Sequence, residues 1–397
     1  MSRIDDLINE LCPDGVPFQP LGALGSRNKG TSMTATRMRE IDSGGPVRVF
    51  AGGSTVADVD EASVPAKAVV RDPSIIVKSR GHIGFTYYDR PFSHKSELWS
   101  YTLSAPTVNQ RFIYYYLLTR TRNLQDLARA TSVKLPQLSV SDTDGLKVPV
   151  PPLEVQDEIV RILDTFSALT AELEAELEAR RTQYEYYRDT LLTFADGLNH
   201  WVKFGDIATI VRGASPRPIR SFITNESSGV PWIKIGDVPV NGKFITATQQ
   251  KVTPGGAAKS RYVRPGDFVL SNSMSFGRPY ISQIEGCIHD GWLAIQNFEA
   301  TFRHDFLYHL LRSNAVYQEM AAKASSGTVR NLNADIVKSL NLPVPSLDEQ
   351  DRVVEILDGF ESLTNDLSFG LPAEIEARRK QYEYYRDRLL SFEEAPA

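Results

Sequence analysis

Gln183-Tyr184-Glu185-Tyr186-Tyr187-Arg188-Asp189 is written again, 198 residues later, as Gln381-Tyr382-Glu383-Tyr384-Tyr385-Arg386-Asp387. The duplication runs back well beyond this block. Pro149-Val150-Pro151-Pro152-Leu153 returns as Pro343-Val344-Pro345-Ser346-Leu347, Gln156-Asp157 as Gln350-Asp351, and Ile162-Leu163-Asp164-Thr165-Phe166 as Ile356-Leu357-Asp358-Gly359-Phe360, all 194 apart. The copy at residues 342–392 therefore carries four residues more than the copy at 148–194.

Both copies read as long helices. Ile159, Leu163, Phe166, Leu169, Leu173, Leu177, Tyr184, Tyr187, Leu191 and Phe194 recur at spacings of three, four and once seven, which is one apolar stripe on a helix. No Gly or Pro interrupts residues 153–196, Glu154, Asp157 and Glu158 set negative charge at the helix start, and Gly197 supplies a stop. About 42 residues at ~1.5 Å each make a rod on the order of 60 Å, too long to pack alone. The second copy offers the partner, with Val353, Leu357, Phe360, Leu363, Leu367, Tyr382, Tyr385, Leu389 and Phe392 repeating the stripe. It opens on a capping box, Ser346 to Glu349, and breaks where Gly370 and Pro372 end one helix and start another.

Charge follows the same division. The whole chain of 397 residues has a net charge of −5, yet the segments alternate: −3 for 1–17, +6 for 18–152, −7 for 153–199, +6 for 200–346 and −7 for 347–397. Two basic bodies alternate with two acidic rods, so phosphates favour the bodies and protein partners the rods. Cys12 and Cys287 are far apart, which argues for a reducing compartment and against a disulfide framework. With no apolar run of membrane-spanning length and no signal-peptide pattern at Met1 to Leu11, a soluble cytoplasmic protein is expected.

Outside the rods the chain repeats more loosely. Residues 3–12 predict a short amphipathic helix through Ile4, Leu7, Ile8 and Leu11, and the Phe18-Gln19-Pro20-Leu21-Gly22 run parallels Trp201-Val202-Lys203-Phe204-Gly205. Each basic body is thus preceded by a helix end and followed by a helix start, a cyclic arrangement that places the N-terminal fragment beside the last rod. In the first body, residues 47–50, 68–70, 75–77 and 98–103 read as strands and 112–127 as a helix. In the second, 231–235, 267–270 and 291–295 read as strands and 306–323 as a helix. The domains are expected at 1–17 (short helix), 18–152, 153–199 (central helix), 200–346 and 347–397 (C-terminal helix).

Catalytic signatures are missing from the sequence. There is no GxxxxGK[ST] or GxGxxG loop and no Asn/Asp-Pro-Pro-aromatic stretch of the kind amino-methyltransferases use. His82, His94, His200, His289, His304 and His309 lack metal-ligand spacing, His304 and His309 being five apart. Cys287 near His289 is a sequence neighbour, and such neighbours are rarely partners in a site.

The Pro-x-Pro-x-Leu-x-x-Gln lead-in to both rods, the doubled Gln-Tyr-Glu-Tyr-Tyr-Arg-Asp block and the body-rod-body-rod order resemble the specificity subunit of type I restriction-modification enzymes, over essentially the whole chain. Thr170-Ala171-Glu172-Leu173 followed by Glu174-Ala175-Glu176-Leu177 resembles that family's tetrad repeats, although the second tetrad begins with Glu. The resemblance implies an α+β protein in which two similar globular α/β target-recognition domains are separated by two long conserved helices that form an antiparallel coiled coil with pseudo-two-fold, cyclic symmetry. It implies a non-catalytic DNA-binding subunit that reads two half-sites of double-stranded DNA across an unread spacer. Two methylation subunits and restriction subunits are the implied partners, and S-adenosylmethionine, ATP and Mg the cofactors those partners carry, none being expected in this chain. Two other readings remain open. A stand-alone bivalent DNA-binding or scaffold protein would bind its site tightly alone, and an enzyme with an unrecognised site would methylate DNA alone.

Candidate contact residues are cations and amides in loops beside small residues, because Arg pairs with guanine, Asn or Gln with adenine, and the remainder grip phosphate. In the first body these are Arg27, Asn28 and Lys29 after the first strand, then Lys78, Ser79, Arg80 and His82, and Lys134 and Gln137 before the rod. In the second they are Arg212, Gly213 and Arg217, then Ser271, Asn272, Ser273 and Met274 with Arg278, and Arg330 and Asn331. On the rods, Gln183, Tyr186, Arg188, Gln381, Tyr384 and Arg386 fall off the apolar stripe and form either a surface for the methylation subunits or a solvated helix face.

Overall fold

Whether a duplicated sequence folds as a duplicated structure depends on whether equivalent residues make equivalent contacts. A computed structural model describes residues 3–130, 134–194, 200–238, 242–272, 275–324, 331–365 and 370–396. By contacts the chain divides into two units, Met1–Ala171 with Ala377–Ala397, and Glu172–Glu376. The divisions fall inside the repeated helices. Each unit therefore joins one body to the start of the helix that follows it and the end of the other helix.

The first unit begins with α1 (Arg3–Leu11), β1 (Phe18–Pro20), β2 (Gly25–Lys29), α2 (Ala35–Glu40), β3 (Val47–Phe50) and β4 (Val56–Val59). It continues with β5 (Ser74–Lys78), β6 (Gly84–Tyr88), β7 (Phe92–His94), β8 (Trp99–Leu103), α3 (Gln110–Ala130), α4 (Val140–Asp144) and β9 (Lys147–Pro149), and leads into α5 (Leu153–Leu191). One sheet has the order β2-β8-β5-β6, a second β4-β3-β7 with β3 parallel to β7, and β1 pairs with β9.

The second unit holds β10 (His200–Lys203), α6 (Phe204–Ile207), β11 (Thr209–Arg212), β12 (Ile223–Thr224), β13 (Val230–Ile233), β14 (Phe244–Ile245) and β15 (Lys251–Val252). Then come α7 (Pro254–Ala257), β16 (Arg261–Val263), β17 (Phe268–Ser271), β18 (Pro279–Ser282), β19 (Gly286–Ile288) and β20 (Trp292–Gln296). It closes with α8 (His304–Arg312), α9 (Asn314–Ala324), α10 (Ala334–Lys338), β21 (Asn341–Val344), α11 (Leu347–Asn365) and the start of α12 (Leu371–Leu389). Its sheets run β11-β20-β17-β18-β14 and β12-β15-β13-β19-β16, with β13 parallel to β19 and β10 paired with β21. The two units share one strand order, and the second adds edge strands to each sheet.

Equivalent residues explain the duplicated letters. Gln156 is fully buried, accepts from the Asn109 N–H at 2.8 Å and donates to the Thr107 and Pro151 carbonyls at 2.8 and 2.6 Å. Gln350, equally buried, accepts from the Arg303 N–H at 2.8 Å and donates to the Thr301 and Pro345 carbonyls, each at 3.0 Å. A buried amide with all three bonds made ties the helix start to the body below it, and neither aliphatic nor acidic side chains supply that set of donors and acceptors. The repeated Asp acts one layer on: Asp164 accepts from Tyr115 and Arg111, and Asp358 meets His309 and Lys243. Around these bonds Val155, Ile159 and Leu163 enter the core of Ile75, Val77, Tyr101, Phe112 and Leu117 in the first unit. Val353 and Leu357 enter that of Phe268, Leu293, Phe306 and Leu310 in the second. Each such fully buried aliphatic contributes about 1.5–3 kcal/mol.

The helix pairing repeats too. Phe166 stacks on Tyr385 at 5.5 Å in the first unit, and Tyr187 stacks on Phe360 at 5.3 Å in the second. Phe360 is the copy of Phe166 and Tyr385 the copy of Tyr187, so one contact is made twice with the helices exchanged, as cyclic symmetry requires. Ile4 of α1 shares the core with Leu389 and Leu390, which places the N-terminal helix beside the end of α12 as the cyclic pattern predicts.

Several expectations need correction. α5 ends at Leu191, short of the Gly197 stop, which lies outside the described residues, as does Leu367. The helix expected over 306–323 is two, because Ser313 adopts an extended ψ of 148° between α8 and α9. Residues 68–70 form no strand: a 3-10 turn, Ala66–Ala68, precedes an isolated bridge from Val70 to Phe92. Only half of the capping box at α11 forms, since Ser346 accepts from the Glu349 N–H while the Glu349 carboxylate turns to Arg352 at 2.6 Å. α12 starts at Leu371 with Pro372 in its first turn, as predicted, the Gly370 carbonyl accepting from Ala373 and Glu374, while residues 366–369 lie outside the described residues.

Candidate nucleic-acid interface

In the first unit, the turn between β5 and β6 needs Gly81, whose φ of +76° is open to glycine at little cost. This turn is clamped to the segment before α4. Gly81 N–H donates to the Pro136 carbonyl at 2.8 Å, Leu138 N–H to the Ser79 carbonyl at 2.9 Å, and Arg80 bridges to Gln137. Gln125 of α3 closes the clamp by accepting from Ile83 N–H and donating to the Gly81 carbonyl. Arg80, His82, Lys134 and Gln137 are all at the surface of this clamp, so residues fifty apart in sequence share one face. The Lys78 ammonium donates to the Gly53 carbonyl at 2.8 Å and brings the Gly52-Gly53 loop to the same place.

Arg27, Asn28 and Ser79 in this unit are already occupied. Arg27, Asn28 and Lys29 lie inside β2, not in a loop after it. Arg27 pairs with Asp144 at 2.9 Å, and Asn28 donates to Ser100 and Thr102 at 3.2 and 2.8 Å. Lys29 stays exposed beside Gly30, which has no room for a side chain against the His94 and Lys95 carbonyls. Ser79 is buried, its hydroxyl donating to the Glu97 carbonyl.

The second unit repeats this frame with different groups. Leu332 N–H donates to the Asn272 carbonyl at 2.9 Å, the counterpart of the bond from Leu138 to Ser79, and sets exposed Asn331 beside the strand end. Gly213, like Gly30, packs without a side chain against the next turn, here the His289 carbonyl. That turn gathers the candidates: Arg212 Nε and Asn272 Nδ2 both donate to the Asp290 carbonyl at 3.0 Å, and the Arg217 guanidinium stands 3.7 Å from the Asp290 carboxylate. Arg278 lies over the Tyr280 ring at 5.5 Å. Ser271 is fully buried and its hydroxyl has no bond, so it is no surface contact. Ser273, Met274 and Arg330 lie outside the described residues.

Beside Asp290 opens a cleft of about 800 Å³ lined by Ser215, Arg217, Ile219, Trp232, Lys234 and His289 among others. Sequence reading missed Asp290, Ser215 and His289, because an acid, a serine and a histidine scattered over a basic body carry no signal by themselves. The Ser215 hydroxyl bond, working against partial burial, holds the Asp290 carboxyl below its ordinary range. Burial pushes the His289 imidazole below its ordinary value even with Asp290 beside it.

On the helices, Tyr186 and Tyr384 are 65% and 62% exposed, whereas Arg188 and Arg386 are covered. Each Arg instead lies over a ring of its own block, Arg188 on Tyr184 and Arg386 on Tyr382, and pairs with the next residue, Asp189 or Asp387. Gln183 and Gln381 accept from Arg180 and Arg378.

His309, Asp358 and Glu361 are close enough together to hold a metal ion. Their charges are already matched: Lys243 lies 3.4 Å from Asp358, Arg312 donates to Glu361 at 2.5 Å, and His309 faces Asp358 at 2.7 Å and the Tyr184 hydroxyl at 3.1 Å. Burial opposes ionisation of Asp358, but the bonds from His309 and Lys243 outweigh it and its carboxyl sits below the ordinary range. The cluster is an ion-paired anchor of α8 on α11.

Residues 28–180 and again 199–377 match the family model described as the type I restriction modification DNA specificity domain. The chain belongs to that family. It is 35% identical over 270 residues to the type I restriction enzyme EcoR124I/EcoR124II specificity subunit of Escherichia coli, covering 64% of this chain and 65% of that protein's length. It is also 35% identical over 309 residues to a putative type I restriction enzyme specificity subunit of Haemophilus influenzae, covering 72% of this chain and 73% of the relative. A crystal structure of a type I restriction-modification S subunit from M. genitalium matches with a TM-score of 0.57 at 16% identity, over 95% of this chain and 96% of that one. At that identity the match speaks for the family's fold alone. Among the described residues no helix is long and apolar enough to cross a membrane.

Proposed function

We propose that this chain is the DNA sequence-recognition subunit of a type I restriction-modification complex. It reads one half-site with the first body and the other with the second, leaves the spacer between them unread, and docks methylation and restriction subunits on its helices. It works in the cytoplasm and has no catalysis of its own. S-adenosylmethionine, ATP and Mg are carried by the partners. The observation that supports this most is the matched frame: the same sheet order, strand-end clamp and buried Gln recur in both units, while the exposed groups on the clamp differ. A shared frame with unlike surfaces is what two readers of unlike half-sites require.

The test is to co-express the chain with its cognate methylation subunits and map methylated adenines in the DNA of the host. A split motif with a fixed gap is expected. One contiguous motif, or methylation by the purified chain alone, would sink the reading.

A further inference from the structure

Among the described residues, Asp290 is the one acid lining the cleft beside Ser215, which also presents Arg217, Arg220 and Lys234. A surface that only gripped phosphate would be weakened by a carboxylate, since like charges repel. Yet this carboxylate is held rigidly. Its main-chain carbonyl accepts from Arg212 and Asn272, each at 3.0 Å, and Ser215 donates to its Oδ1 at 2.7 Å. The other oxygen, Oδ2, has Arg217 at 3.7 Å, beyond hydrogen-bond reach, and that side chain is 83% exposed. The result is an acceptor oriented through Oδ1 by Ser215, with Oδ2 beyond hydrogen-bond reach of Arg217 and next to that exposed cation.

We propose that Asp290 is a base-reading residue, its Oδ2 accepting from the exocyclic amine of a cytosine or adenine in the major groove, while Arg217 contacts the adjacent base or phosphate. This rests on the reading of the chain as a DNA specificity subunit. Those amines are the hydrogen-bond donors that the major groove presents, and acidic side chains pair with the one on cytosine. Ile219 and Ile223 line the same cleft, backed by buried Trp232, and give the neighbouring base, a thymine methyl included, an apolar surface. A sequence search for cations and amides overlooks such a residue because its value lies in specificity rather than attraction.

The experiment compares the assembled complex carrying wild-type chain with one carrying Asp290→Asn, which keeps the size, the main-chain carbonyl and an oxygen for Ser215. Methylated motifs are mapped for both, and binding to unrelated duplex DNA is measured alongside. With Asp290→Asn, one base pair in one half-site should lose discrimination by about tenfold or more. The other half-site should stay unchanged, and non-specific binding should hold or tighten. An unaltered motif overturns the proposal. So does a uniform loss over all sequences together with a lowered melting temperature, which would mark a residue that merely braces its turn. If Asp290→Asn does not assemble, Asp290→Glu carries the same test, since it moves the charge by one methylene: a changed preference at one base pair supports the proposal and an unchanged one sinks it. A wild-type complex that yields no split motif at all instead refutes the parent reading, and the two failures are distinct.

Discussion

The two bodies agree where they meet the long helices and disagree in their second sheets and exposed loops. On the helix side Gln156 and Gln350 make the same three bonds, and Phe166 and Phe360 each stack on a tyrosine of the other helix. Elsewhere, the first unit carries a three-stranded second sheet and an exposed clamp with Arg80, His82 and Lys134, whereas the second carries a five-stranded one and a cleft around Asp290. Even the corresponding turns differ. That of β7 and β8 pairs Lys95 with Glu97 at 2.8 Å within itself, while that of β19 and β20 holds Asp290 from outside through Arg212, Asn272 and Ser215. Identical requirements have kept identical chemistry, and the surfaces freed from those requirements have diverged.

The largest effect that would break this comparison comes from the helix that joins neither surface. Deleting Glu174, Ala175, Glu176 and Leu177 shortens α5 by about 6 Å and turns the rest of the helix by roughly 40°. The preferred gap between half-sites should shorten while both half-site sequences persist, as selection from a random-spacer library would reveal. Altered bases in either half would show that helix and readers are not separable.

Next comes the anchor itself. Gln156→Ala leaves the Asn109 N–H and the Thr107 and Pro151 carbonyls without their partner in a buried site, at a cost of about 3 kcal/mol. Gln350→Ala should cost the same within ~1 kcal/mol in urea unfolding, and a clear inequality would end the claim that the two joints are equivalent.

A smaller change is expected at the exposed rings. Tyr186→Asp and Tyr384→Asp together should weaken co-purification with methylation subunits by about tenfold, because exposed tyrosines are frequent interface anchors. The melting temperature should not move. Undiminished co-purification would return both rings to the status of solvated surface.

The smallest effect concerns pH. Burial lowers the imidazole pKa of both His94 and His289. A histidine whose folded pKa is depressed contributes stability that is present above its unfolded value, ~6.5, and is lost as pH falls from there toward the folded pKa. Stability should therefore decline below about pH 6.5. His94→Asn and His289→Asn should each flatten that decline, since each removes a ring whose burial disfavours its charged form. Melting curves at pH 5.5 and 7.5 would decide it, and a slope unchanged in both variants would show that neither buried ring contributes.

How much of this was written in the sequence depended on period and on chemistry. The helices were legible because a stripe of ten apolar residues without Gly or Pro admits few other folds, and the duplicated Gln and Asp were visible as letters. What they bond to was not, since their partners lie some fifty residues away along the chain. Of the second sheets only the strands at 47–50 and 231–235 were legible, because partners of two or three residues, such as Ile223–Thr224 and Lys251–Val252, are shorter than any alternation that can be read. Ser313 broke a helix without the Gly or Pro that announces a break. Arg188 and Arg386 were placed on the outer face by periodicity alone, which does not register that a guanidinium folds back over its neighbour's ring. Asp290 was invisible because cations and amides mark a loop as a DNA contact, whereas a carboxylate on a basic body carries no such mark.

The paired amide cradles have a consequence for inheritance. A crossover whose breakpoints fall near the codons for Gln156 and Gln350 delivers any related body to a seam that is already complementary to it. Should each body read its own half-site as proposed, new pairings of readers would arise by exchange of whole cassettes, with the amide contacts at the joint retained.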